Sequence, residues 1–185
     1  MSSWLNVPNG LTLIRLLLLA PAIVCVRGGH GLAAAWVFLA AMLTDVLDGR
    51  LARRLNQRTL LGLYLDPLVD KIVILALLYE VAATGVISAA VPHLFLAREL
   101  LHDGLRAFAA GRGTLVGANW MGKTKAFMQT VLILWALAQP ALTSVGGRLA
   151  AASGATLHHA AWLVLAITWL FFLLFLARNH RLLAD

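Results

Sequence analysis

Asp45-Val46-Leu47-Asp48-Gly49-Arg50-Leu51-Ala52-Arg53 leads, after eight further residues, to Gly62 and then to Asp66 and Asp70 at successive four-residue steps, with apolar runs on either side. An ionisable side chain at the centre of a bilayer helix costs about 3 kcal/mol on insertion scales, so by default it marks a functional site with a partner. Four carboxylates in such a setting call for cations, and a pair of divalent ions is the expected partner.

The surroundings define the class of protein. Of the 185 residues, 61% are hydrophobic and 12% charged, which places the chain among membrane proteins. Six runs, at 11–26, 32–51, 61–83, 86–106, 120–142 and 157–177, approach the ~20 residues needed to cross ~30 Å of hydrocarbon. In lipid the backbone must satisfy its own hydrogen bonds, leaving helices or a closed barrel. Continuous Leu, Ala and Val runs without period-two alternation decide for helices. The expectation is an all-α polytopic membrane protein: one domain, 1–185, with six transmembrane helices. Gly28-Gly29, Ala83-Thr84-Gly85, 111–113 and the small-residue stretch 146–154 supply the breaks, the last read as a loop.

The net charge of +7 describes topology rather than a nucleic-acid partner. Arg50, Arg53, Arg54 and Arg58 fall between the second and third runs. Arg112, Lys123 and Lys125 fall around the fourth connection, and Arg178 and Arg181 follow the sixth run. The opposite connections hold little beyond Arg27 and Arg148. The positive-inside rule therefore puts both termini and the acidic stretch on the cytoplasmic side. The N-terminus lacks a basic n-region and a cleavage site, so no removable signal peptide is expected. Cys25 is the only cysteine, which excludes an intrachain disulfide and a thiolate metal cluster.

Helical spacing organises the acidic stretch. Asp45 and Asp48, with Gly49 and Ala52 each four residues beyond one of them, share one face of the second helix; Gly62, Asp66 and Asp70 share one face of the third. A short connection makes these helices antiparallel neighbours, so the two acidic faces meet near the cytoplasmic edge. Oxygen-only ligands favour Mg²⁺ or Mn²⁺ over Zn²⁺. Such ions commonly act on phosphates. Gly49, Ala52 and Gly62 let a bulky ligand approach the backbone, and Arg53 suits bidentate phosphate binding.

The segment resembles the D-x2-D-G-x2-A-R-x8-G-x3-D-x3-D motif of the CDP-alcohol phosphatidyltransferases at every fixed position: Asp45, Asp48, Gly49, Ala52, Arg53, Gly62, Asp66 and Asp70. The resemblance implies a six-helix membrane enzyme, often a homodimer, that moves a phosphatidyl group from a CDP-linked lipid to an alcohol and releases CMP. It also implies that Asp45, Asp48, Asp66 and Asp70 hold two ions on the pyrophosphate of CDP-diacylglycerol, that Gly49, Ala52, Arg53 and Gly62 cradle the cytidine diphosphate, and that Asp70 accepts the proton of the acceptor hydroxyl.

Further blocks at 6–15, 97–99, 105–106 and 120–125 are similar to the bacterial phosphatidylglycerophosphate synthases of that family, extending the resemblance from Asn6 to about Gln129. The implied acceptor is sn-glycerol 3-phosphate, and the implied location is the bacterial cytoplasmic (inner) membrane with the site facing the cytoplasm. A dianionic acceptor needs fixed cations, and Arg98, Arg106, Lys123 and Lys125 flank one cytoplasmic loop. Glu99 and Asp103 are the expected partners of the two arginines. Thr12 and Arg15 are expected in the pocket or beside a motif aspartate, and Lys71 against substrate phosphate or balancing the acidic cluster. Trp120 is the tryptophan expected to line the site. Inositol phosphate, or phosphatidylglycerol to give cardiolipin, are the alternative acceptors. A divalent-cation transporter is the alternative of another class, disfavoured because the aspartates gather at one membrane edge.

Overall fold

In a computed structural model the chain forms six helices: α1 (Val7–Arg27), α2 (Gly31–Arg54), α3 (Leu60–Ala83), α4 (Ala90–Gly111), α5 (Trp120–Ser144) and α6 (Arg148–Arg178). The structure describes residues 7–54, 60–112, 120–144 and 148–179; side chains from Asp45 to the end of α2 lie outside that description. The second and third helices, expected to be direct neighbours, are not closely packed on each other among the described residues; α1 and α5 each lie against both. α1 packs chiefly on α2 and α3, α5 bridges α2, α3 and α6, and α4 lies against α3 and α6.

Three helices are long and apolar enough to cross a membrane among the described residues: Asn9–Arg27, Trp120–Leu142 and Ser153–Arg178; a fourth apolar run, Gly31–Thr44, is shorter. The other expected spans, α3 and α4, carry charge within their length: Asp66, Asp70, Lys71 and Glu80 on α3, and Arg98, Glu99, Asp103 and Arg106 on α4. At ~1.5 Å per residue the 24 residues of α3 still extend ~36 Å.

Lipid-like surroundings offer little hydrophobic drive between helices, so close packing must hold them together. Phe38, Leu77, Leu78, Phe95, Ile133 and Leu157 sit in the interior, whereas Leu17, Val24, Trp36 and Leu163 face outward. Gly31 shows how tight the fit is: a Cβ there would stand 2.2 Å from the Leu137 carbonyl oxygen, so only glycine lets α2 begin against α5. Gly29 and Gly85, in the α1–α2 and α3–α4 turns, hold positive φ values of 75° and 80°.

The structure corrects two boundaries. The stretch read as a loop to Gly154 is helical from Arg148, because Leu149 and the alanines that follow are good helix formers. Gly154 instead serves contact: a Cβ there would lie 3.4 Å from Gln139 Nε2 of α5. The fourth run, read from residue 86, becomes helix only at Ala90, after the turn through Gly85.

Candidate functional site

Side-chain contacts bring the starts of α1, α3 and α5 together with the ends of α4 and α6. On α3, Asp66 and Asp70 are one turn apart, and two buried α1 side chains meet them. Thr12 Oγ1 donates to Asp66 Oδ1 at 2.5 Å. Arg15, with no exposed surface, donates through Nη1 to Asp70 Oδ1. Thr12 and Arg15 are three residues apart, so one face of α1 serves both carboxylates. Pro67 lies between the aspartates and has no N–H to give, which relieves the helix of one backbone bond at this point.

Gly62 is buried one turn before Asp66. Asp45, Asp48, Gly49, Ala52 and Arg53 occupy the last turns of α2, whose backbone is helical there; their side chains lie outside the described residues. Asp66 and Asp70 offer oxygen donors, which suit a hard divalent ion. Hydrogen bonds from Thr12 and Arg15 fix the orientation of these carboxylates, as outer partners of metal ligands do.

Beside this pair lies a cavity of about 300 Å³ whose polar lining includes Lys71, Arg98, Arg106, Lys123 and Lys125 against Glu99 and Asp103. All four cations expected for an acceptor phosphate, with Lys71, therefore converge. A smaller cavity of about 160 Å³ is lined by Asp70 and Gln129 and shares Lys71, Glu99 and Lys125 with the larger one. The two form a path from the carboxylates to the basic chamber.

The expected Arg98–Glu99 pair forms, and two lysines join these carboxylates as well. Asp103 receives Lys71 Nζ at 2.6 Å to Oδ1 and 2.5 Å to Oδ2. Glu99 Oε1 receives Lys125 Nζ at 2.5 Å and Arg98 Nη1 at 3.3 Å. Lys71 thus balances a carboxylate of α4 and still lines both cavities. Arg98 also lies over the Phe172 ring, 5.7 Å from its centroid. Trp120 is displaced from its expected place: it is 63% exposed and turns its ring toward Phe171, which lines the cavity in its stead.

Among the lining residues, His102, Ala126, Gln129, Phe171 and Phe175 were not candidates in the sequence. Glu99, His102, Asp103 and Arg106 fall at i, i+3, i+4 and i+7 on α4, and Gly122, Lys125, Ala126 and Gln129 repeat that spacing on α5. Those two polar or small-residue stripes were the available signal. His102, whose ring packs at a tilt against Phe175 with centroids 4.7 Å apart, carried no such signal on its own, and nor did the phenylalanines of α6.

A family model described as CDP-alcohol phosphatidyltransferase matches residues 5–174. The chain belongs to the CDP-alcohol phosphatidyltransferase family. In this phosphatidyltransferase the match reaches well into α6, beyond the stretch ending near Gln129 on which the resemblance rested.

Among curated relatives, the chain is 33% identical over 123 residues to the CDP-diacylglycerol–glycerol-3-phosphate 3-phosphatidyltransferase of Mycoplasma genitalium, covering 64% of this chain and 52% of that protein. It is 35% identical over 144 residues to the protein of the same name from Escherichia coli K12, covering 73% of this chain and 78% of that one. The chain thus spans about half the length of the first relative and over three quarters of the second. The aligned family region contains both the Asp66–Asp70 pair and every cation of the basic chamber.

Proposed function

We propose that this phosphatidyltransferase moves the phosphatidyl group of CDP-diacylglycerol to sn-glycerol 3-phosphate, giving phosphatidylglycerophosphate and CMP. The observation that carries the acceptor is the chamber with five cationic side chains beside Asp70. Glycerol 3-phosphate is a dianion, and an acceptor without phosphate has no use for such a surplus of positive charge. The names of the two relatives point to the same acceptor.

Asp45, Asp48, Asp66 and Asp70 would hold two Mg²⁺ or Mn²⁺ ions. When bound, these would neutralise charge on the pyrophosphate and on the departing CMP. Gly49, Ala52, Arg53 and Gly62 bind the cytidine diphosphate part of the lipid. Arg106, Lys123 and Lys125 hold the acceptor phosphate, and Arg98 closes the chamber from α4. The Asp70 carboxylate, oriented by Arg15, takes the proton of the carbon-1 hydroxyl as its oxygen attacks the β-phosphorus and the bond to CMP breaks. Positioning and charge supply most of the acceleration. The basic residues at the site end support a place in the bacterial cytoplasmic membrane with the chamber facing the cytoplasm, and the working protein is a homodimer.

The test is CMP release by the purified chain in detergent with CDP-diacylglycerol and Mg²⁺, run in parallel with glycerol 3-phosphate, inositol phosphate, serine and phosphatidylglycerol. Release only with glycerol 3-phosphate is expected. Release with another acceptor alone overturns the assignment while leaving the family intact.

A further inference from the structure

Among the described residues Glu99 is the one carboxylate that lines both cavities: the basic chamber with Arg106 and Lys123, and the smaller space with Asp70. It is 4% exposed. Its two oxygens have different surroundings. Oε1 takes both Lys125 and Arg98. Oε2 is buried and makes no hydrogen bond among the described residues. A buried carboxylate oxygen without a donor carries an uncompensated desolvation cost, so such an atom marks a place that a ligand hydroxyl can satisfy.

The order of groups along the path identifies that hydroxyl, given the glycerol 3-phosphate reading above, on which this inference rests. The phosphate on carbon 3 belongs in the chamber with Arg106 and Lys123, and the carbon-1 hydroxyl belongs beside Asp70. A residue common to both cavities faces the middle of a three-carbon acceptor.

We infer that Glu99 is the specificity residue for the acceptor: Oε1 holds Lys125 and Arg98 in place for the phosphate, and Oε2 accepts a hydrogen bond from the carbon-2 hydroxyl. A site built to hydrogen-bond a substrate hydroxyl rejects an analogue without it strongly, because its buried polar atom is then left unpaired.

The experiment compares sn-glycerol 3-phosphate with 3-hydroxypropyl phosphate, which keeps the phosphate, the chain length and the attacking hydroxyl and lacks only the middle one. For the wild-type chain, Glu99→Ala and Glu99→Gln in detergent with CDP-diacylglycerol and Mg²⁺, the readout is the ratio of kcat/KM for the two acceptors. The ratio is taken within one preparation, so any loss of folded protein cancels.

The wild type is expected to prefer glycerol 3-phosphate by about a hundredfold or more. Glu99→Ala brings the ratio to within about fivefold of unity. Glu99→Gln, which keeps an oxygen for Lys125 and turns an amide toward the hydroxyl, lowers the ratio about tenfold, as expected for exchanging a charged acceptor for a neutral group. A wild type that uses both acceptors equally overturns the inference while the glycerol 3-phosphate reading stands. Variants that lose both activities together and keep the wild-type ratio also overturn it, because Glu99 is then only structural. A wild type active on neither compound but active on inositol phosphate, serine or phosphatidylglycerol removes the parent reading itself.

Discussion

The two ends of the bundle use charge in opposite ways. At the end away from the aspartates, Arg27 meets Glu80 through two hydrogen bonds of 2.9 and 2.7 Å, and the Arg27 side chain is 71% exposed. Another polar contact toward that end joins two uncharged side chains: Ser153 donates to Gln139 at 2.9 Å, tying α6 to α5. At the site end some of the charges are buried, and among the described residues the two signs are unequal. Arg15 and Glu99 are almost wholly enclosed, and cations outnumber carboxylates around the chamber. An exposed, matched pair contributes little, because water and ions screen it. Buried, unmatched charges are expensive, so their cost must be offset by something that binds. The difference separates the end that closes the fold from the end at which we propose the chemistry.

The largest effect should come from the aspartate pair. Asp66→Asn in a protein that still elutes as a folded species is expected to lower kcat at least about a thousandfold, and chelation of divalent ions should do the same reversibly. Substantial activity in either case would mean that the buried charge at this end serves packing, as at the other end. Removing chamber cations should have a smaller and more selective effect. Arg106→Ala or Lys123→Met is expected to raise KM for glycerol 3-phosphate about ten- to a hundredfold while KM for CDP-diacylglycerol changes little. A rise in both would dissolve the distinction between acceptor and lipid subsites.

At the opposite end the readout should be stability alone. Gly31→Ala forces the start of α2 away from the Leu137 carbonyl, a displacement expected to cost about 1–3 kcal/mol and visible as a lowered unfolding temperature with KM unchanged. The smallest effect belongs to the exposed pair: Glu80→Gln should leave turnover within about twofold and become undetectable in unfolding as salt is raised. A loss of activity there would show the two ends to be coupled.

Much of this was legible along the chain. The apolar runs demanded helices, and the motif spacing put Asp66 and Asp70 on one face of α3, because those signals are local or repeat with the helical period. The stretch before Gly154 was misread for the complementary reason. Glycine content suggests a break, while helix formation there depends on the alanines and on α5 alongside.

Residue types and their spacing were thus sufficient for the family, the helical architecture and the acidic pair on α3. Tertiary structure alone decided which charges meet. Arg15 lies 55 positions from Asp70, Lys71 32 from Asp103 and Lys125 26 from Glu99. No spacing rule along one helix reaches that far, since partner choice depends on which helices become neighbours and in what register. The lone oxygen of Glu99 is the clearest case. In the chain it is one more carboxylate beside an arginine, and only the convergence of α3, α4 and α5 buries it between two cavities.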